Sequence, residues 1–179
     1  MAKPRAVRVT AAVLAASLAV ATAGCGSGVA PKTWAKSVCV ALTPWRTKIA
    51  ALTGQAQGQI TGGSTPAQAK QSLVVLLAGA RDASETARKG VADAGTPDVD
   101  DGTKIAARFV ATLAAARDAY GHASGTLSTL DTRDPKVFYD AVAAAFEKLN
   151  TEYATSALDT RDVGSAELKQ AFSEVPECR

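Results

Sequence analysis

The sequence predicts an all-α fold, an up-down four-helix bundle with a short C-terminal fifth helix, which follows a cleaved signal peptide. Apolar residues recur at steps of three and four along most of the chain, the spacing that places them on one face of a helix. No segment alternates apolar and polar residues with a period of two, so no strand is predicted. Periodic stretches separated by short glycine- and proline-containing segments are typical of antiparallel helices in a bundle.

The first helix begins near Trp34, and its apolar stripe continues as far as Leu52. Pro44 interrupts this helix, because proline lacks a backbone donor and clashes with the preceding turn. Two interpretations remain: a kink at Pro44, which the unbroken stripe favours, or a fresh helix start with Thr43 as the N-cap. The stretch from Gly54 to Gly63 is rich in Gly, Gln and Thr and is predicted to be a loop.

Capping residues and prolines mark the other helices. In the second helix, the apolar spacing places Leu76 and Ala83 on the face toward the core. The predicted bounds are Ser64-Thr65-Pro66 to Gly95 for the second helix, about 102 to 130 for the third, a start at Asp134-Pro135 for the fourth, and 165 to 173 for the fifth.

Residues 1–24 have the order of a secretory signal, with three cations and no acid followed by an apolar run. This run is shorter than the about 20 apolar residues that span a bilayer. Thr22-Ala23-Gly24-Cys25 resembles the lipobox of bacterial lipoproteins, which implies lipidation of Cys25 and anchoring at the outer face of the cell membrane. The alternative uses Ala21-Thr22-Ala23 as an ordinary cleavage site and releases a freely secreted protein.

Three cysteines in an exported chain leave one without a partner unless Cys25 carries lipid. Cys39 and Cys178 lie near the two ends of the mature domain, in a compartment where disulfides persist, and we predict a bond between them. A free buried Cys39 is the alternative. We expect residues 25–31 to form a flexible tether, because they begin with a glycine- and serine-rich segment, and residues 32–179 to form one helical domain.

The mature chain is predicted to carry no net charge. The full sequence has 20 Lys and Arg against 17 Asp and Glu, and the signal holds three of the cations and none of the acids, which leaves 17 of each. The excess of positive charge therefore belongs to the signal. Since nucleic-acid binding needs a clustered basic face on the folded domain, no nucleic-acid partner is predicted.

Groups suited to catalysis or metal binding are sparse. His122 is the single histidine, so sites that need two imidazoles are excluded, and we interpret it as solvated or structural. Asp98, Asp100 and Asp101 precede Gly102, but this spacing lacks ligands where an EF-hand loop needs them. We interpret these acids as favourable charges at the start of the third helix. No catalytic residue, metal site or cofactor is predicted.

The pentapeptide Leu130-Asp131-Thr132-Arg133-Asp134 recurs as Leu158-Asp159-Thr160-Arg161-Asp162. One interpretation is a duplicated turn that contacts a ligand. The structural interpretation, which we favour, is that each leucine closes the core and each final aspartate caps the next helix.

Trp34 and Trp45 are separated by 11 residues, about three helical turns, and so lie on one face of the first helix. They either line an apolar pocket for a lipid or another apolar molecule, or anchor the core, which is the more common use of buried tryptophan.

Four features occur together in this chain: the lipobox-like segment, the alanine-rich mature chain, Trp34 and Cys39 near its start, and the closing Val175-Pro176-Glu177-Cys178. In these features the chain resembles the small secreted lipoproteins of high-GC Gram-positive (actinobacterial) bacteria. This resemblance implies a location and a fold without supplying a mechanism. We expect a non-enzymatic binding or interaction module of the cell envelope, anchored to the membrane by lipid, that contacts an envelope protein or an apolar small molecule. The alternatives are a scaffold for a membrane partner and, with less support, an enzyme.

Overall fold

The computed structural model describes residues 28–154 and 163–179, and this part of the chain is helical apart from its connecting loops and one isolated backbone bridge. Four long helices precede a short one, which confirms the predicted all-α class. A 3₁₀ turn, Pro176–Cys178, follows the last helix. The helices are α1 Pro31–Gln59, α2 Pro66–Asp93, α3 Gly102–Thr129, α4 Pro135–Ala154 and α5 Ala166–Glu174.

Side-chain caps fix the start of three helices. The Thr65 hydroxyl accepts a hydrogen bond from the Gln68 amide at 3.3 Å, and the Gln68 side chain accepts one from the Thr65 amide at 2.9 Å. This reciprocal capping box satisfies two backbone donors at the start of α2. Asp134 accepts from the Val137 amide at 3.1 Å before α4, and Ser165 accepts from a first-turn amide of α5 at 3.3 Å. The three predicted starts are confirmed.

The predicted loop from Gly54 to Gly63 is wrong in its first half, because α1 continues to Gln59. Ala56 is only 5% exposed and extends the buried side of the helix beyond Leu52. Gly54 and Gly58 lie in open space. Each glycine costs the helix about 1 kcal/mol relative to Ala, and packing against α2 outweighs that local preference.

Pro44 lies inside α1, which runs through it without a break, so the interpretation as a fresh helix start is wrong. The Thr43 hydroxyl donates to the Cys39 carbonyl at 2.9 Å and supports the turn before the proline. Proline leaves the Val40 carbonyl without its helical donor, but Val40 is 52% exposed, where water can replace that donor.

The core face of α2 differs from the predicted one by one residue at two positions. Leu77 is buried rather than Leu76, and Ser84 rather than Ala83. Steps of three and four both follow a helix face, so apolar spacing alone does not decide between neighbouring positions at its edge.

The helices pack in the predicted up-down order, with α2 in extensive contact with both α1 and α3. In the described chain α4 packs on α3 and touches α2, but its backbone does not approach α1. The 3₁₀ turn and α5 pack on α1 instead. The fourth position of the bundle is therefore shared between α4 and α5, each covering one part of its length.

Two cores follow from this division. The larger core lies beside α5, where the Trp34 ring meets Phe109 and Phe172 edge to face at centroid distances of 5.3 and 5.9 Å. Such aromatic contacts add about 0.5–1.5 kcal/mol each to the burial of their area. The smaller core lies beneath α4 and consists of Leu77, Ala119, Ala123, Leu127, Ala145 and Leu149.

The predicted disulfide between Cys39 and Cys178 is present, with their Cα atoms 5.1 Å apart. It fixes the 3₁₀ turn to α1 and so holds α5 against the larger core.

Within the predicted tether, residues 25–31, the chain is held to the domain at Val29. The Val29 amide donates to the Thr96 carbonyl at 2.7 Å, and the Asp98 amide donates to the Val29 carbonyl at 2.8 Å. Since α1 then begins at Pro31, the chain is fixed to the loop between α2 and α3 from Val29 onward. The predicted signal and Cys25 lie outside the described residues.

Candidate functional site

An open groove separates α1 from α4, because these two helices do not pack against each other in the described chain. Its volume is about 410 Å³, within the range of small-molecule sites in proteins. Three helices contribute to its walls, and we call it the α1–α4 groove. Its lining consists of Trp45, Arg46, Ile49 and Ala50 from α1, Tyr120 from α3 and Tyr153 from α4.

Trp45 is held in place from the inside of the bundle. Its indole N–H donates to the Ser84 hydroxyl at 3.0 Å, and that hydroxyl donates to the Ala80 carbonyl at 2.8 Å. Trp45 is 9% exposed and Ser84 is fully buried. The polar edge of the indole is thus satisfied within α2, and Trp45 also belongs to the groove lining.

Tyr120 and Tyr153 are neighbours in the groove lining, with ring centroids 6.0 Å apart and ring planes tilted by 52°. Burial raises the pKa of Tyr120 to about 12. Burial also raises the pKa of Tyr153, and this effect outweighs the positive charge of Arg46, which lowers that pKa. Both phenols therefore stay neutral at physiological pH and can donate hydrogen bonds.

No protein-family model, curated protein or solved structure matches this chain. The site is therefore interpreted from its own geometry, which offers an apolar surface, neutral phenol groups and one cation.

The two tryptophans predicted to line one pocket are separated by the fold, and Trp34 has no part in the groove. Its side chain is fully buried, its indole N–H donates to the Gly95 carbonyl at 2.9 Å, and Phe109 and Phe172 cover the ring. Trp34 is thus a core anchor, and Trp45 alone lines an open groove. Near Trp34, α5 packs on α1. Near Trp45, further along α1, neither α5 nor α4 covers that helix in the same way in the described chain, and the groove is open.

A second groove, of about 310 Å³, lies between α3 and α4 and has a floor of alanine and leucine side chains. At its rim, His122 Nδ1 lies 3.3 Å from Glu152 Oε2, and Lys148 Nζ lies 3.8 Å from Glu152 Oε1. The His122 side chain is 66% exposed. The imidazole is thus solvated, as the sequence suggested, and next to a carboxylate that the sequence did not pair with it.

The acids before α3 form no metal site. Asp101 stands at the N-cap position with a left-handed φ of 57°, but its side chain ion-pairs with Lys104 at 2.7 Å instead of capping the helix. Within residues 28–154 and 163–179, no group of three or more His, Cys, Asp or Glu side chains is arranged to hold a metal ion.

The first copy of the repeated pentapeptide has the structural role that we favoured. Leu130 packs on the smaller core, Asp131 ion-pairs with Arg133, and Asp134 caps α4. The second copy includes residues outside the described chain.

Within the described part of the chain, no helix combines the length and apolarity needed to cross a bilayer.

Proposed function

We propose that the protein is a lipid-anchored binding module on the outer face of a bacterial cell membrane, and that it holds an apolar small molecule in the α1–α4 groove. The observation that carries the proposal is the groove itself. Its tryptophan, isoleucine and tyrosine side chains come from three different helices and line an opening rather than meeting in a closed core. Sites for small molecules combine apolar walls with a few placed polar groups, and this lining contains both kinds of side chain.

The anchored location rests on the signal-like residues 1–24 and the lipobox-like segment that ends at Cys25. Val29 follows Cys25 by only four positions and is fixed to the domain by two backbone hydrogen bonds. Four extended residues reach about 14 Å at most. Lipid on Cys25 would therefore hold the α2–α3 loop close to the membrane. Replacement of Cys25 by Ala should remove the lipid mass and release the protein into the medium, and continued membrane retention would contradict the anchor.

The alternative of a scaffold for a protein partner would be favoured by one exposed apolar helix face. The large exposed apolar residues among the described ones are Val40, Val75, Val137 and Tyr139. They are distributed over α1, α2 and α4 and do not form one stripe on a single helix. The groove is therefore the stronger support.

Binding in the groove is tested with N-phenyl-1-naphthylamine, an uncharged apolar dye whose fluorescence rises in apolar surroundings. Ala50 lines the groove, and its neighbour Ala51, which is also exposed, does not. We expect the dye to bind the wild-type domain and the Ala51→Phe variant, and to lose at least ten-fold in affinity in Ala50→Phe, where the new ring occupies the groove. Equal affinities for both variants, or no binding to the wild type, would refute the groove as the site.

A further inference from the structure

The α1–α4 groove carries one ionisable charge at neutral pH, and that charge is positive. Arg46 is the single cation among its six lining residues, and none of the six is acidic. Arg46 itself forms no ion pair with any residue of the described chain and is exposed at the mouth of the groove. A guanidinium has five donors, and one that pairs with no carboxylate of the described residues can pair with an anion from outside.

The other polar groups of the groove suit the same kind of partner. The Tyr120 hydroxyl makes no hydrogen bond within residues 28–154 and 163–179 and stays protonated, so it can donate to a ligand oxygen. Trp45 cannot contribute its N–H, because Ser84 takes it. The groove thus presents donors and a cation, while its walls are apolar rings and an isoleucine.

An aromatic-walled site can also hold an organic cation over the ring faces. Here the charge of Arg46 opposes that use, because it stands in the same lining with no acid to offset it. Its position at the mouth allows a bound anion to remain partly hydrated, which avoids most of the cost of burying a charge.

We propose that the ligand of the α1–α4 groove is an amphiphile with an apolar body and one anionic group, a carboxylate or a phosphate, which pairs with Arg46. This inference rests on the proposed function of the groove and adds the chemical class of the ligand. The apolar body lies against Trp45 and Ile49, and the anionic oxygen atoms pair with Arg46.

The test displaces bound N-phenyl-1-naphthylamine with four ten-carbon competitors below their micelle concentrations: decanoate, decyl phosphate, decanol and decyltrimethylammonium. We expect both anions to compete about five-fold better than decanol, and the cation to compete worst. An exposed pair of opposite charges contributes up to about 1 kcal/mol, which corresponds to that ratio. The preference should shrink as salt is raised, because the pair is solvent-accessible.

Substitution of Arg46 by Gln keeps much of the side chain and removes the charge. In Arg46→Gln, the affinity of each anion relative to decanol, measured on the same variant, should fall to about one. Arg108→Gln, which changes an exposed arginine of α3 outside the groove, serves as the control and should leave every competitor unchanged.

The two proposals fail in different ways. Three results would overturn the inference and still leave the groove as the binding site. They are anions that compete no better than decanol, a cation that competes best, and an anion preference that persists in Arg46→Gln. A preference for only one of the two anions would identify the source as a fatty acid or as a phosphorylated lipid. A dye that does not bind the wild type would refute the groove, and the inference with it.

Discussion

Replacement of Ser84 by Ala tests the link between the core and the groove wall. The Ser84 hydroxyl is fully buried and accepts the Trp45 indole N–H at 3.0 Å. The variant removes one oxygen atom and leaves that indole donor without an acceptor, in surroundings where Trp45 is only 9% exposed. A buried donor left unsatisfied costs about 1–3 kcal/mol. The Ala80 carbonyl, which Ser84 also contacts, keeps its helical donor and adds little to this cost.

The assay is urea unfolding of the oxidised domain, with Thr86→Ala as the matched control. Thr86 lies on the same helix and its hydroxyl donates to the Asp82 carbonyl at 3.0 Å, but it is exposed, so its loss should change the free energy of unfolding by less than about 0.5 kcal/mol. Ser84→Ala should lower it by about 1–3 kcal/mol. The Trp45 fluorescence should also change, since the ring loses the bond that orients it. Equal stability of the two variants would refute the role given to Ser84.

Three further predictions concern stability. The Glu85 carboxylate accepts hydrogen bonds from Arg88 and from Arg117, which lowers its pKa from 4.5 to about 2. The contribution of this carboxylate to the free energy of unfolding is complete above pH 4.5 and is lost as pH falls toward 2. In acid titration, Glu85→Gln should therefore lose less stability across that interval than the wild type. An equal loss in both proteins would contradict the role of these ion pairs. Gly102→Ala should destabilise the protein by about 1–3 kcal/mol, because the new Cβ would overlap the Pro97 carbonyl oxygen. Gly125 lies in open space, so Gly125→Ala should stabilise α3 by up to about 1 kcal/mol. The reverse order of the two variants in thermal melts would contradict this packing. Reduction of the disulfide, which closes a sequence separation of 139, should lower the free energy of unfolding by up to about 5 kcal/mol, and an unchanged urea midpoint after adding dithiothreitol would argue against the bond.

Much of the fold was predictable, because helix periodicity and caps are local properties of the sequence. Thr65, Asp134 and Ser165 mark helix starts that the structure confirms. The extension of α1 through Gly54 was not predictable in this way, since the favourable burial of Ala56 depends on α2. Propensity describes a residue in isolation, and tertiary packing overrides it.

The groove was harder to predict than the helices. The sequence placed Trp45 on the correct face, but it gave Trp34 the same role and did not point to Tyr120 or Tyr153 as site residues. A residue of an apolar stripe remains accessible only where no other helix covers it. Apolar periodicity does not predict which helices pack against each other. Ser84 was missed because a polar residue at a core position is favourable only when its partner, here Trp45, is known.

Native mass spectrometry of the protein purified gently from its own membranes tests whether the α1–α4 groove holds a ligand. We expect a bound small molecule in addition to the lipid on Cys25 and the disulfide, retained in Ala51→Phe and absent from Ala50→Phe. A wild-type spectrum with lipid and disulfide alone, or an adduct that persists in Ala50→Phe, would contradict ligand binding in the α1–α4 groove.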